Sequence, residues 1–98
     1  MNDRNKTHSP LKLTQSMIDQ YADSLARSGL SAGTLTSYRR KLKKLYTSLP
    51  EDKTIYPDTL EQLTQEYRNR GYSNQTVNLF LAATNGLLEF CDRRDLQY

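Results

Sequence analysis

The side chains best suited to chemistry in this sequence are basic, and they are concentrated in one stretch. There is no acidic residue between Asp23 and Glu51, and the first 50 residues hold nine basic against three acidic side chains. Clustered Lys and Arg attract polyanions, whose phosphates they neutralise. Charge alone is equally compatible with a solvated, lysine-rich helix face. The basic residues of this stretch are Arg27, Arg39, Arg40, Lys41, Lys43 and Lys44.

Residue types that carry catalysis or hold metals are sparse. His8 is the only histidine and Cys91 the only cysteine, and they lie far apart in the chain. They cannot together build a zinc site, so no metal is expected, and no cofactor either. None of the four glycines belongs to a recognised phosphate-binding loop. No acid, base and nucleophile occur together, so we expect the chain not to be an enzyme.

Length and composition are those of one small folded domain. The chain has 98 residues with a formal net charge of +3, and 36% of them are hydrophobic. No apolar run approaches the roughly 20 residues that a membrane-spanning helix needs, and the polar N-terminus has no signal-peptide pattern. A single cysteine indicates a reducing compartment. We therefore expect a cytoplasmic protein without a membrane partner.

Apolar spacing predicts an all-α fold, a compact four-helix bundle made of two helical hairpins. No segment shows the strict alternation of a strand. Residues 1–12 are expected to be a flexible arm, 13–94 the helical domain and 95–98 the start of a linker. The predicted helices run from the cap Thr14 to Gly29, from Ser31 to the residue before Pro50, from Asp58 or Thr59 to Gly71, and from Ser73 to Cys91.

The two hairpins are related by an internal repeat. A shift of 42 residues places Gly29 on Gly71, Ser31 on Ser73 and Thr34 on Thr76, and the apolar positions match as well. Glycine permits the left-handed turn that ends a helix, and serine two residues later caps the next one. We interpret this as structural pseudo-symmetry, in which the second and fourth helices correspond.

The predicted second helix turns its cations away from its apolar side. Leu42, Leu45 and Leu49 share one side of the helical wheel. The other side carries hydroxyls and basic groups without a carboxylate, whereas a solvated face ordinarily mixes both signs. Such a helix fits the DNA major groove, where Arg and Lys reach phosphates and guanine edges. The residues of this face are Thr36, Ser37, Arg39, Arg40, Lys43, Lys44 and Thr47.

The predicted fourth helix has a narrow amide strip and a wide apolar surface. Asn74, Gln75 and Asn78 open it, and Asn85 follows farther along. Amides can pair with adenine edges or phosphates, and they are equally common as neutral surface residues. The apolar surface is wide enough for packing on both sides or for docking a partner.

Two segments resemble the N-terminal core-binding domain of tyrosine recombinases, the phage-integrase family. They read GLSAGTLTSYRRKL at residues 29–42 and GYSNQTVNLF at residues 71–80. The resemblance extends over about residues 13–96 and implies a SAM-like helical bundle. It also implies one half of a clamp around duplex DNA, with helices approaching the major groove. By resemblance, Thr34, Ser37, Arg39, Arg40, Lys43 and Lys44 on the second helix and Asn74, Gln75 and Asn78 on the fourth would contact DNA.

This resemblance predicts a DNA-binding module of a site-specific recombinase that grips an arm of a recombination site and is non-catalytic in isolation. Nothing matches the family's catalytic half, which carries a His-x-x-Arg motif and a late nucleophilic tyrosine. The RRDLQY ending resembles the start of an interdomain linker. The expected partners are double-stranded DNA and, in a full-length recombinase, other protomers, with the isolated domain a monomer. The alternative is a SAM-like protein–protein interaction module.

Overall fold

The computed structural model describes residues 9–98 and contains four α-helices, as the sequence predicts. The predicted flexible arm therefore lies mostly outside the described residues, and so does His8. The helices pack as two hairpins, α1 with α2 and α3 with α4. The helices are α1 (Gln15–Arg27), α2 (Ala32–Ser48), α3 (Thr59–Asn69) and α4 (Asn74–Phe90), followed by a short 3₁₀ turn (Arg94–Leu96).

Side-chain caps fix the starts of three helices at the predicted residues. The hydroxyls of Thr14, Ser31 and Ser73 accept hydrogen bonds from backbone amides three residues later. At α3 the capping residue is Asp58, but its carboxylate accepts from the Gln62 side chain at 2.8 Å and leaves the backbone amides uncapped.

The turns inside the two hairpins are built alike, as the 42-residue repeat predicts. Gly29 and Gly71 adopt φ values of +92° and +91°. The amide of Leu30 donates to the carbonyl of Leu25 at 3.2 Å, and the equivalent bond from Tyr72 to Tyr67 is 3.1 Å. These six-to-one bonds define the glycine-dependent helix ending, which reverses the chain within a few residues.

Helix α4 is the centre of the molecule. It contacts α1, α2, α3 and the 3₁₀ turn, and its Val77, Phe80 and Leu87 side chains are buried. Two polar side chains in the core, Thr64 and Thr84, donate to backbone carbonyls one turn earlier, so that neither is left without a partner. The wide apolar surface predicted for this helix is thus explained largely by packing on several sides.

A short antiparallel sheet ties the beginning of the chain to the loop between the hairpins. Strand β1 (Leu11–Lys12) pairs with β2 (Thr54–Ile55), with Leu11 opposite Ile55. Residues 11 and 12, which the sequence assigns to the flexible arm, are thus paired in this sheet, which is a minor addition to the all-α fold. Strands of two residues are too short to show alternation in the sequence. The buried Leu13 and Ile55 hold them in place.

The last residues pack on the helices, although we predicted the start of a linker from residue 95. Leu96 is fully buried. Arg93 forms an ion pair with Asp95 at 2.8 Å and also donates to the carbonyl of Ser9. The Gln97 amide donates to the carbonyl of Asn85 at 2.8 Å. This segment, which the sequence predicts to begin a linker, is held by the buried Leu96 together with the polar contacts of Arg93 and Gln97.

No helix among residues 9–98 is long and apolar enough to cross a membrane.

Candidate nucleic-acid interface

The outward side of α2 carries three exposed cations, Arg39, Arg40 and Lys43. None of them forms an ion pair within residues 9–98, where the salt bridges are those of Arg70, Arg93 and Arg94. The sequence predicted all three to be exposed. Because no carboxylate of residues 9–98 forms an ion pair with them, this side of α2 presents positive charge to solvent that the described residues leave uncompensated.

Lys44 lies elsewhere than predicted. Its side chain is half-buried, and its Nζ stands 5.1 Å and 5.0 Å from the ring centres of Tyr67 and Tyr72. Cation–π contacts of this kind attract the ammonium to the ring faces. Ser48, one turn farther along α2, bonds the Tyr67 hydroxyl at 2.7 Å. Lys44 therefore joins α2 to the second hairpin and is set apart from the exposed cations.

The cluster of Lys44, Ser48, Tyr67 and Tyr72 shifts the pKa values of its two tyrosines in opposite directions. Burial raises the pKa of Tyr67 above its ordinary value, and the hydrogen bond with Ser48 and the charge of Lys44 reduce that rise. Interaction with the Lys44 ammonium lowers the pKa of Tyr72, and Arg70 adds to the effect. The Tyr67 and Tyr72 rings are stacked, with centroids 5.3 Å apart.

The hydroxyls on and beside the predicted DNA-binding face of α2 are partly engaged within the protein. Thr34 accepts from the Ser31 hydroxyl at 2.9 Å, and Thr36 donates to the carbonyl of Ala32 at 2.9 Å. Thr47 donates to the carbonyl of Lys43 at 3.0 Å. Ser37 is half-buried. Thr36 and Thr47 thus offer a ligand mainly oxygen acceptors, and the donors of this face are its basic groups.

The start of α4 lies beside the middle of α2. Tyr72, which touches Lys44, directly precedes the cap Ser73, and the two helices pack against each other. Asn74, Gln75 and Asn78 are exposed, and their amides make no hydrogen bond with residues 9–98. The amides of these three residues therefore follow closely in sequence on Tyr72, the residue that contacts Lys44.

Asn85 belongs to a different environment from the other amides. Its Nδ2 donates to the carbonyl of Tyr98 at 3.2 Å, and its Oδ1 accepts from the Tyr98 amide at 3.1 Å. Both polar atoms of the Asn85 side chain are thus used to hold the end of the chain.

A groove of about 340 Å³ runs between the beginning of α1 and the middle of α2. The sequence had predicted Arg39 and Lys43 as DNA contacts, but Gln15 and Tyr46 were missed. Recognising a groove requires knowing how α1 and α2 align, which periodicity within each helix does not reveal. The lining residues are Gln15, Ile18, Arg39, Lys43, Tyr46 and Thr47.

Three side chains of potential chemical interest among the described residues are the Cys91 thiol and the carboxylates of Glu61 and Glu66. Within residues 9–98, no three His, Cys, Asp or Glu side chains are grouped so that they could hold a metal ion. Burial raises the pKa of the Cys91 thiol, which disfavours the nucleophilic thiolate. The carboxylates of Glu61 and Glu66 are exposed, and Glu66 pairs with Arg70.

Comparison with protein families identifies the family of the chain. The model of the phage integrase N-terminal SAM-like domain covers residues 18–95, from the first turns of α1 to the 3₁₀ turn. The matched model is that of an N-terminal domain, and no catalytic domain is matched. Searches of curated proteins and of solved structures give no match.

Proposed function

Because the chain belongs to the family of phage integrase N-terminal SAM-like domains, we propose that it is the DNA-binding module of a site-specific tyrosine recombinase. In this function the domain grips an arm of the recombination site through the major groove and performs no chemistry itself. A catalytic domain elsewhere in the recombinase would cut and rejoin the DNA. Its DNA would be that of a bacterial or phage-infected cell, in the cytoplasm.

The observation that carries this proposal is the uncompensated charge of α2. Arg39, Arg40 and Lys43 are exposed, and they have no carboxylate partner within residues 9–98. Such an arrangement favours binding to duplex DNA, because each contact with a phosphate releases condensed counterions and so increases the affinity. A helix with its side chains is about 10–12 Å across, which fits a major groove about 12 Å wide.

Base edges and phosphates would be read by different parts of this surface. Arg40 projects from the outer side of α2 and can form two hydrogen bonds with a guanine edge. The exposed amides of Asn74, Gln75 and Asn78 at the start of α4 can bond adenine edges or phosphates. Thr34, Thr36 and Ser37 would complete backbone contacts near the start of α2.

The test is a fluorescence-anisotropy titration of a labelled duplex at several salt concentrations. Replacing Arg40 and Lys43 together by alanine should weaken binding and flatten the dependence of log K on log salt. Both side chains are exposed, so the fold should persist. An unchanged affinity in the double variant would refute the role of α2. Amide chemical shifts of the wild type with the same duplex should change along α2 and at the start of α4.

A second candidate is a helical protein–protein interaction module, and one observation favours it. Phe90 at the end of α4 is 45% exposed, and its ring contacts that of Tyr21 with the two centroids 5.5 Å apart. Single exposed aromatic residues are common on monomers, so this function takes second place. In the recombinase, other protomers would be the partners at such a surface. Light scattering should find the isolated domain monomeric, whereas a stable dimer would favour this candidate.

A further inference from the structure

The groove between α1 and α2 places two cations over an apolar floor. Ile18, which is 3% exposed, lies at its base, and Arg39 and Lys43 line its α2 wall one turn apart. Adjacent cations on one helix face repel each other, by a few tenths of a kcal/mol when exposed. Their repulsion would be relieved by an anion between them.

No acidic side chain among residues 9–98 lies between Arg39 and Lys43 as an ion-pair partner. Asp19 is one turn beyond Gln15 on α1, and its carboxylate accepts from the Gln15 amide at 3.1 Å. It forms no ion pair with Arg39 or Lys43 within residues 9–98. The two cations therefore line the groove without an ion-pair partner among residues 9–98.

The groove is rich in hydrogen-bond donors. Tyr46 lines it, with the Lys53 ammonium 4.8 Å from its ring centre, and the Tyr46 hydroxyl has no hydrogen-bond partner among residues 9–98. Thr47 uses its proton on the carbonyl of Lys43, at 3.0 Å, and so contributes only an acceptor. The remaining donors are the Arg39 guanidinium, the Lys43 ammonium, the Tyr46 hydroxyl and the second N–H of the Gln15 amide, a set that suits an oxyanion.

We propose that this groove seats one phosphate of the DNA backbone, an inference that rests on the proposed function. Arg39 and Lys43 lie roughly 60–100° around α2 from Arg40 at about 100° per residue. When Arg40 points at the floor of the major groove, this flank of the helix meets the phosphate strand that borders it. The seat would fix the orientation of α2 on the duplex, whereas Arg40 would read bases.

The experiment measures binding of a labelled mixed-sequence duplex against salt, because phosphate contacts do not depend on sequence. The slope of log K against log salt should become less negative by about 0.9 in Lys43→Gln and in Arg39→Gln. Thr47→Leu narrows the groove without changing charge, and its slope should become less negative by the same amount because the phosphate no longer enters. The matched control is Arg94→Gln, which removes a cation paired with Glu89 at 3.6 Å. Its slope should equal that of the wild type.

The outcomes separate the two proposals. If the wild type fails to bind the duplex, the proposed DNA-binding function is refuted. If the wild type binds but Arg39→Gln and Lys43→Gln keep its slope, only the phosphate seat is overturned. The phosphate seat would also be refuted if Lys43→Gln made the slope less negative while Thr47→Leu left it unchanged. Lys43 would then contact DNA without the phosphate entering the groove.

Discussion

The hydroxyl of Tyr21 on α1 stands against the backbone of Gly86 on α4, in the space that a Cβ at position 86 would occupy. The ring carbon that bears this hydroxyl lies 3.1 Å from the same position. Tyr21 is 7% exposed and its ring also contacts Phe90. The absence of a side chain at residue 86 thus sets how closely the first and last helices of the bundle approach.

Gly86→Ala should therefore destabilise the domain, although alanine favours helices by about 1 kcal/mol over glycine. Overpacking in a filled core costs about 1–3 kcal/mol, which we expect to exceed that gain. Urea unfolding monitored by circular dichroism would show a lower midpoint. Adding Tyr21→Phe should restore part of the loss, because it removes the oxygen and leaves the ring carbon in place.

Gly33 supplies the matched control for this substitution. It lies in the first turn of α2, nothing is within 4 Å of its Cβ position, and its φ is not positive. Gly33→Ala should leave the free energy of unfolding unchanged or raise it by up to about 1 kcal/mol. If Gly86→Ala behaves in the same way, the Tyr21 ring moves aside freely and the close approach does not constrain the bundle.

Asp92 ends α4 in the conformation that glycine adopts at the ends of α1 and α3. Its φ is +60°, and the next amide, of Arg93, donates back to the carbonyl of Leu88 at 2.7 Å. A non-glycine residue is strained there, and a carboxylate also opposes the negative end of the helix dipole. Asp92→Gly should raise the free energy of unfolding by roughly 0.5–1 kcal/mol. Gly71→Ala, the reverse change at φ +91°, should lower the urea midpoint.

Lys44 and Lys43 are neighbours in sequence, but we expect their substitution to have different effects. Lys44→Met keeps the apolar stem and removes the ammonium from the two tyrosine rings. It should cost about 0.5–2 kcal/mol of stability, the range for cation–π contacts, and change the salt dependence of DNA binding little. Lys43→Met should change stability little and make the salt dependence of DNA binding weaker. Thermal unfolding would measure the stability of both variants, and anisotropy at several salt concentrations would measure their DNA binding. Equal salt slopes in the two variants would contradict this difference between Lys43 and Lys44.

The tyrosines of this cluster should ionise in a fixed order as the pH rises. Tyr72 has a pKa below its ordinary value of 10.0, and Tyr67 one above it. The ionised form of Tyr72 is favoured in the folded protein, so its titration adds stability as the pH passes its folded pKa. Tyr67 has the opposite effect. As the pH rises above the unfolded pKa of Tyr67, the unfolded chain loses this proton before the folded protein does, so the stability of the fold decreases. Ring ¹³C shifts should show Tyr72 titrating first, and Lys44→Met should raise the pKa of Tyr72.

Much of the fold could be predicted because its signals are local. Ser31 and Ser73 cap helices that start where the sequence predicts, and Gly29 and Gly71 end the preceding ones. A cap or a left-handed glycine depends on residues within one turn of chain. The β-pairing of Leu11 with Ile55 joins residues 44 positions apart, and no local pattern reveals it.

The site was predictable only in part, for the same reason. A helical wheel shows that Arg39, Arg40 and Lys43 face away from the core of α2, and the structure agrees. The wheel cannot show that Tyr72 covers Lys44, because that contact depends on how the second hairpin sits on the first. The contribution of Gln15 to the groove likewise depends on the packing of α1 on α2.

The Asn85 side chain should control the order of the last residues. Its amide forms two hydrogen bonds with the backbone of Tyr98, at 3.2 Å and 3.1 Å, as a neighbouring strand would. Asn85→Ala removes both, so the Tyr98 amide should exchange with solvent much faster, while the amides of α4 keep their protection. Asn85→Asp keeps the acceptor for that amide and should preserve part of the protection. Equal exchange of the Tyr98 amide in the wild type and Asn85→Ala would mean that the buried Leu96 and the bond from Gln97 to the Asn85 carbonyl hold this segment without the Asn85 side chain.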